Sequence, residues 1–131
     1  MNILIVDDEI DQLQSLRRGL KNKGYQVYEA QDTEEALIIL ENNVRSIDLV
    51  LTDHYMPGRT GIELLGEIRK SYGELPVIIM SAHANKGLET QVAESASDGF
   101  IAKPFTLSRL IAEMERVANG HGKVRCVGGS A

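Results

Sequence analysis

The sequence predicts an α/β fold: one doubly wound (βα)5 domain, with a five-stranded parallel sheet covered by helices on both faces. Three observations predict it. Five short apolar runs punctuate the chain: Ile3-Leu4-Ile5-Val6, Val27-Tyr28, Leu49-Val50-Leu51, Val77-Ile78-Ile79-Met80 and Phe100-Ile101-Ala102. Most are continuous rather than alternating, as in strands buried on both faces. Helical periodicity fills the gaps, and strand-helix alternation implies parallel pairing through right-handed crossovers.

Each element has its own signal. The second run, Gln26-Val27-Tyr28-Glu29-Ala30, is more polar than the others and suits a sheet edge. The first helix carries an apolar stripe of Ile10, Leu13, Leu16 and Leu20, and Gly24 is placed to end it. Asp32-Thr33-Glu34-Glu35 reads as a capping box ahead of Ala36, Leu37 and Leu40. Thr60-Gly61-Ile62-Glu63 is a second box, opening a helix through Leu65 and Ile68. A weaker helix is expected near residues 86–96, where only Leu88, Val92, Ala93 and Ala96 face inward. The last stripe is the clearest: Leu107, Leu110, Ile111, Met114, Val117 and Ala118, with Thr106 as its cap. The pattern stops at Asn119. Gly120, Gly122, Gly128 and Gly129 mark residues 119–131 as a flexible tail or the start of a linker, leaving 1–118 as the folded domain.

Bulk properties exclude several functions. The chain has 131 residues, enough for one domain with a core of useful size. At 43% hydrophobic and 25% charged residues the composition is ordinary for a globular protein. A net charge of −5 argues against a nucleic-acid-binding surface. No apolar run reaches the roughly 18 residues of a membrane span, so no membrane role is expected. No export signal opens the chain. The single Cys126 excludes an internal disulfide and a multi-cysteine zinc site, and a reducing cytoplasm is the expected compartment.

Candidate chemistry collects at one rim. In open parallel sheets, sites form beyond the carboxyl ends of the strands, where the strand order reverses. Asp7, Asp8 and Glu9 follow the first strand, Thr52 and Asp53 the third, Ser81 and His83 the fourth, Lys103 and Pro104 the fifth. If the first and third strands are neighbours, Asp7, Asp8 and Asp53 lie close together and push carboxylate pKa values upward. Lys103 supplies one compensating charge. A divalent cation could supply more, and all-oxygen ligands favour a hard ion such as magnesium, which leaves room for a phosphoryl group. Blander readings exist for each residue: Asp7 and Asp8 as helix caps, Asp53 as a turn residue, Ser81 as a turn hydroxyl, Lys103 as a solvated charge. His54 and His83 flank the rim and are read as solvent-facing neighbours rather than transition-metal ligands. His121 and Cys126 lie in the tail with no role.

Four blocks, ILIVDDE, LVLTDHYMPGRTGIELL, VIIMSAHA and GFIAKPF, together resemble the signature of response-regulator receiver domains from two-component signalling, in order and spacing across residues 1–118. The resemblance implies a flavodoxin-like sheet of order 2-1-3-4-5. It implies that Asp53 accepts a phosphoryl group from a sensor histidine kinase or a histidine phosphotransfer protein. Asp7 and Asp8 would bind magnesium, with manganese as a substitute, Asp8 directly and Asp7 partly through water. Tyr55 would lend its backbone carbonyl to the metal. Ser81 would be the switch hydroxyl, Lys103 would contact the phosphoryl oxygens, and Phe100 would be the switching aromatic. Tyr55 and His83 would tune the phosphoryl's lifetime, and the Lys103-Pro104 bond is a cis candidate. The face made by the helix near 86–96, the fifth strand and the last helix would change its affinity for a downstream effector or output domain, and is a candidate homodimer surface. The domain would catalyse its own phosphoryl transfer without turning over a separate substrate.

Three other functions share parts of this pattern. A phosphohydrolase of the haloacid-dehalogenase type would carry its nucleophile after the first strand, in an Asp-x-Asp arrangement and with a cap domain. A flavin module would need a first loop rich in Ser, Thr and Gly. A degenerate receiver that only binds partners would lack part of the set made by the acidic pair, Asp53, Ser81 and Lys103.

Overall fold

The computed structural model describes residues 1–43, 45–82 and 97–119. In chain order its elements are β1 (Asn2–Val6), α1 (Ile10–Asn22), β2 (Gln26–Ala30), α2 (Thr33–Asn43), β3 (Leu49–Asp53), α3 (Gly61–Tyr72), β4 (Val77–Ser81), β5 (Gly99–Ala102) and α4 (Leu107–Ala118). The strands form one sheet in the order β2-β1-β3-β4-β5, all neighbours parallel. The helix expected near residues 86–96 lies outside the described residues, as does the expected tail beyond Asn119.

The continuous apolar runs are explained by two separate cores. Successive strand side chains point to opposite faces. Leu4 and Val6 therefore join Leu40, Leu64, Ile68 and Ile79 beneath α2 and α3. Ile3 and Ile5 join Leu13, Leu20, Ile78 and Met114 beneath α1 and α4. Burying each such side chain stabilises the fold by about 1.5–3 kcal/mol relative to leaving it in water. The polar run Gln26–Ala30 lies at one edge, where a single neighbour suffices, and β5 is the other edge.

Helix ends follow the sequence closely, with three differences. The Thr60 hydroxyl accepts from Glu63 N at 3.2 Å and the Glu63 carboxylate accepts from Thr60 N at 2.7 Å, completing the expected box. Thr106 accepts from Arg109 N at 3.1 Å and caps α4. Gly24, just beyond α1, has φ of +96°, a conformation that glycine adopts at little cost. At α2 the box is displaced: Asp32 Oδ1 accepts from Glu35 N at 2.8 Å, but the Glu35 carboxylate returns to Gln31 N at 2.6 Å rather than to Asp32. Ile10 is not part of the buried stripe. It is 50% exposed at the first turn of α1, which starts beyond the carboxyl end of β1. Ala118, on the last turn of α4, is also exposed.

Candidate functional site

The carboxyl ends of β1, β3 and β4 and the residue after β5 meet above the sheet centre. Because β1 pairs with β3 and β3 with β4, residues that are far apart in sequence leave the sheet side by side. Asp7 follows β1 directly and is fully buried, its backbone N–H bonded to Ala30 O at 3.0 Å. Asp8 beside it is exposed. Asp53 ends β3 with its side chain 9% exposed. Ser81 ends β4 and is fully buried, and the backbone N–H of Lys103 donates to its carbonyl at 2.9 Å. The Lys103–Pro104 peptide is cis.

The Lys103 ammonium joins the cluster. Nζ donates to Asp7 Oδ2 at 3.2 Å and to Asp53 Oδ2 at 3.3 Å. Asp7 Oδ1 accepts from Glu9 N at 2.9 Å, so both Asp7 oxygens have donors. Neither Asp7 nor Asp8 is the N-cap residue of α1: Glu9 holds that position without a side-chain capping bond, and Asp7 reaches only the Glu9 N–H ahead of the first turn. Asp8, Glu9, Asp53, Tyr55, Ala82 and Lys103 line a pocket of about 300 Å³ above the pair.

The electrostatics are strained by burial. Desolvation raises the Asp53 carboxyl pKa above its ordinary value; Lys103 pulls it down and Asp7 pushes it up further. Burial opposes the charge on Lys103, but Asp53 and Asp7 outweigh it and raise the ammonium pKa. Three carboxylates facing one ammonium leave surplus negative charge. Asp7, Asp8 and Asp53 each bring an oxygen within 4.8 Å of the others. An all-oxygen donor set of this charge fits a hard divalent cation such as magnesium.

The structure corrects one site expectation. His54 is not solvent-facing: it is 6% exposed, with its ring edge-on to Tyr55 at 4.7 Å between centroids. Burial lowers its pKa, against the opposing pull of Glu63. Its backbone N–H continues the β3–β4 ladder to Met80 O at 2.9 Å, which turns the side chain of residue 54 away from the side that Asp53 uses. Tyr55 is 44% exposed at the pocket mouth, and Phe100 is half-buried against the α2–α3 core. His83 lies outside the described residues.

Sequence reasoning passed over two features. Gly61, the first residue of α3, lies directly against the backbone of Asp53 and His54. A glycine at a first helical position, where alanine would be the better helix former, was the available signal. Glu113 was the other: an acid on the buried stripe of α4 between Leu110 and Val117, its carboxylate accepting from Phe100 N at 3.3 Å.

Comparisons with known proteins cover most of the chain. A family model for the response regulator receiver domain matches residues 3–115. The response regulator MprA of a Mycobacterium species (strain KMS) is 35% identical over 114 residues, 87% of this chain and 49% of that protein. This chain spans half or less of the length of the curated relatives first found. A receiver domain protein of Clostridium thermocellum superposes with a TM-score of 0.86 at 31% identity, covering 92% of this chain and 95% of that one. A CheY-like receiver domain protein of Methanospirillum hungatei gives 0.84 at 28% identity, covering 93% and 96%.

Proposed function

Because this chain belongs to the response regulator receiver domain family, we propose that it is a phosphorylation-controlled signalling switch whose acceptor is Asp53. The observation that carries this reading is the Lys103 ammonium held between two buried carboxylates, with exposed Asp8 at the same pocket. It also separates the reading from a phosphohydrolase with its nucleophile after β1, because Asp7 there is fully buried and doubly hydrogen-bonded.

The donor is a phosphohistidine on a sensor histidine kinase or a histidine phosphotransfer protein. A carboxylate oxygen of Asp53 attacks phosphorus. The new O–P bond forms as the donor's P–N bond breaks, and the electron pair leaves with the imidazole nitrogen. Lys103 holds the attacking group and offers positive charge to the transferring oxygens. Asp8, Asp53 and the Tyr55 carbonyl would hold magnesium, or manganese in its place, with Asp7 partly through water. The bound cation would neutralise charge on the phosphoryl oxygens. Afterwards Ser81 supplies a hydroxyl to the new group and Phe100 turns inward, altering the face made by β5 and α4. That face would regulate an effector or output domain in the cytoplasm, or pair two copies of the chain. Tyr55 and His83 would set how long the phosphoryl persists.

Incubation with acetyl phosphate and magnesium, followed by mapping of the label, tests the reading. The expected result is an acid-stable, base-labile phosphoryl on Asp53 that is lost on chelation and in Asp53→Asn. Label on another residue, or none, overturns it.

A further inference from the structure

We propose that Gly61 and Thr52 are positioning residues that aim the Asp53 carboxylate for phosphoryl transfer, an inference that rests on the acceptor role proposed above. The Asp53 carbonyl oxygen sits in a cradle. From one side the hydroxyl of fully buried Thr52 donates to it at 2.9 Å. From another, a Cβ placed on Gly61 would stand 2.7 Å from that oxygen and 3.0 Å from His54 Cα. The Gly61 N–H donates to His54 O at 2.9 Å and closes the loop between β3 and α3.

The close approach involves backbone atoms, which cannot swing aside as the end of a side chain would. A methyl group at position 61 must therefore push α3 or the Asp53–His54 peptide away. Helix α3 is held by the Thr60 capping box and by the buried side chains of Leu64, Leu65 and Ile68. The displacement falls on Asp53, whose carboxylate meets Lys103 at 3.3 Å on the other side. Phosphoryl transfer depends on alignment, and a misplacement of about 1 Å can cost on the order of a hundredfold in rate. Helix propensity predicts the opposite sign, because alanine is the better helix former. Gly66 on the same helix supplies the control: nothing lies within 4 Å of a Cβ built there.

The experiment compares the wild type, Gly61→Ala, Thr52→Val and Gly66→Ala. It measures the rate of Asp53 labelling at saturating acetyl phosphate and magnesium, the thermal melt, and the amide NMR positions of Asp53, His54 and Lys103 without metal. Gly61→Ala is expected to fold, to label on the order of tenfold more slowly or worse, and to shift all three amides. Thr52→Val is expected to show a smaller loss, and Gly66→Ala the wild-type rate and amide positions. A folded Gly61→Ala with the wild-type rate overturns the inference. If Gly61→Ala does not fold, Thr52→Val decides: slowed labelling supports the inference and a wild-type rate overturns it. Equal slowing in Gly66→Ala also overturns it. A wild type that takes no label removes the acceptor role and this inference together, whereas a labelled wild type with unaffected variants removes the inference alone.

Discussion

At the scale of single residues, the site is a problem in charge compensation. Asp7 is fully buried and Asp53 nearly so, yet a single ammonium serves both. Removing the ammonium strands two carboxylates; removing one carboxylate relieves the other. Lys103→Met should therefore lower the unfolding free energy of the metal-free protein, by on the order of 3 kcal/mol. Asp53→Asn should raise it by about 1 kcal/mol. Urea unfolding measures both, and changes of the same sign would contradict the electrostatic account. The Asp53 gain also has a pH signature. Its carboxyl titrates above the unfolded value, so the native state holds that proton more tightly and loses stability as pH rises through the native pKa. Asn at 53 removes the decline, and the variant's advantage should shrink on acidification.

At the scale of elements, the far end of the sheet is tied by a second polar network. Buried Asp98, just before β5, accepts from Arg69 on α3 at 2.7 Å and from Val77 N at the start of β4 at 2.9 Å. Arg116 on α4 donates to the Asp98 carbonyl at 3.1 Å and to Glu113 Oε2 at 2.8 Å. Glu113 in turn accepts from Phe100 N on the edge strand β5 at 3.3 Å. Asp98→Ala leaves the Val77 N–H and the Arg69 guanidinium short of an acceptor, and should cost on the order of 3 kcal/mol in urea unfolding. The hydrogen bond from Arg116 lowers the Glu113 pKa against the opposing effect of burial. Its stabilisation is present above the ordinary glutamate pKa and is lost as pH falls through the lower native value. Glu113→Gln should therefore cost on the order of 1–2 kcal/mol near neutral pH and almost nothing in strong acid. A difference that persists in acid would rule this account out.

At the scale of the molecule, a divalent cation held at the acidic pocket, as proposed, would couple stability to metal concentration. A ligand that binds only the native state at a hundred times its dissociation constant adds about 2.7 kcal/mol. Adding magnesium should raise the melting temperature, and chelation should reverse the rise. In Asp8→Asn, which leaves the exposed member of the cluster neutral, the response should be largely lost. A melting temperature indifferent to magnesium in the wild type would count against a metal at this rim. Among the described residues no helix is long and apolar enough to cross a membrane.

What the sequence determined by itself were the local features and the choice of fold class. Continuous apolar runs set strands buried on both faces, and Thr60, Thr106 and Gly24 set helix ends, because these depend on neighbours within a few residues. The gathering of Asp7, Asp8, Asp53 and Lys103 was legible for the same reason: each lies at or just past the carboxyl end of a strand, and parallel strands deliver those ends to one side. Only the tertiary structure decided what crosses between elements. It buried His54 while exposing Ile10, placed Lys103 between two particular oxygens, and set Gly61 against the Asp53 carbonyl. Contacts of that kind depend on how closely two packed elements approach, a distance measured in tenths of an ångström that residue order does not encode locally.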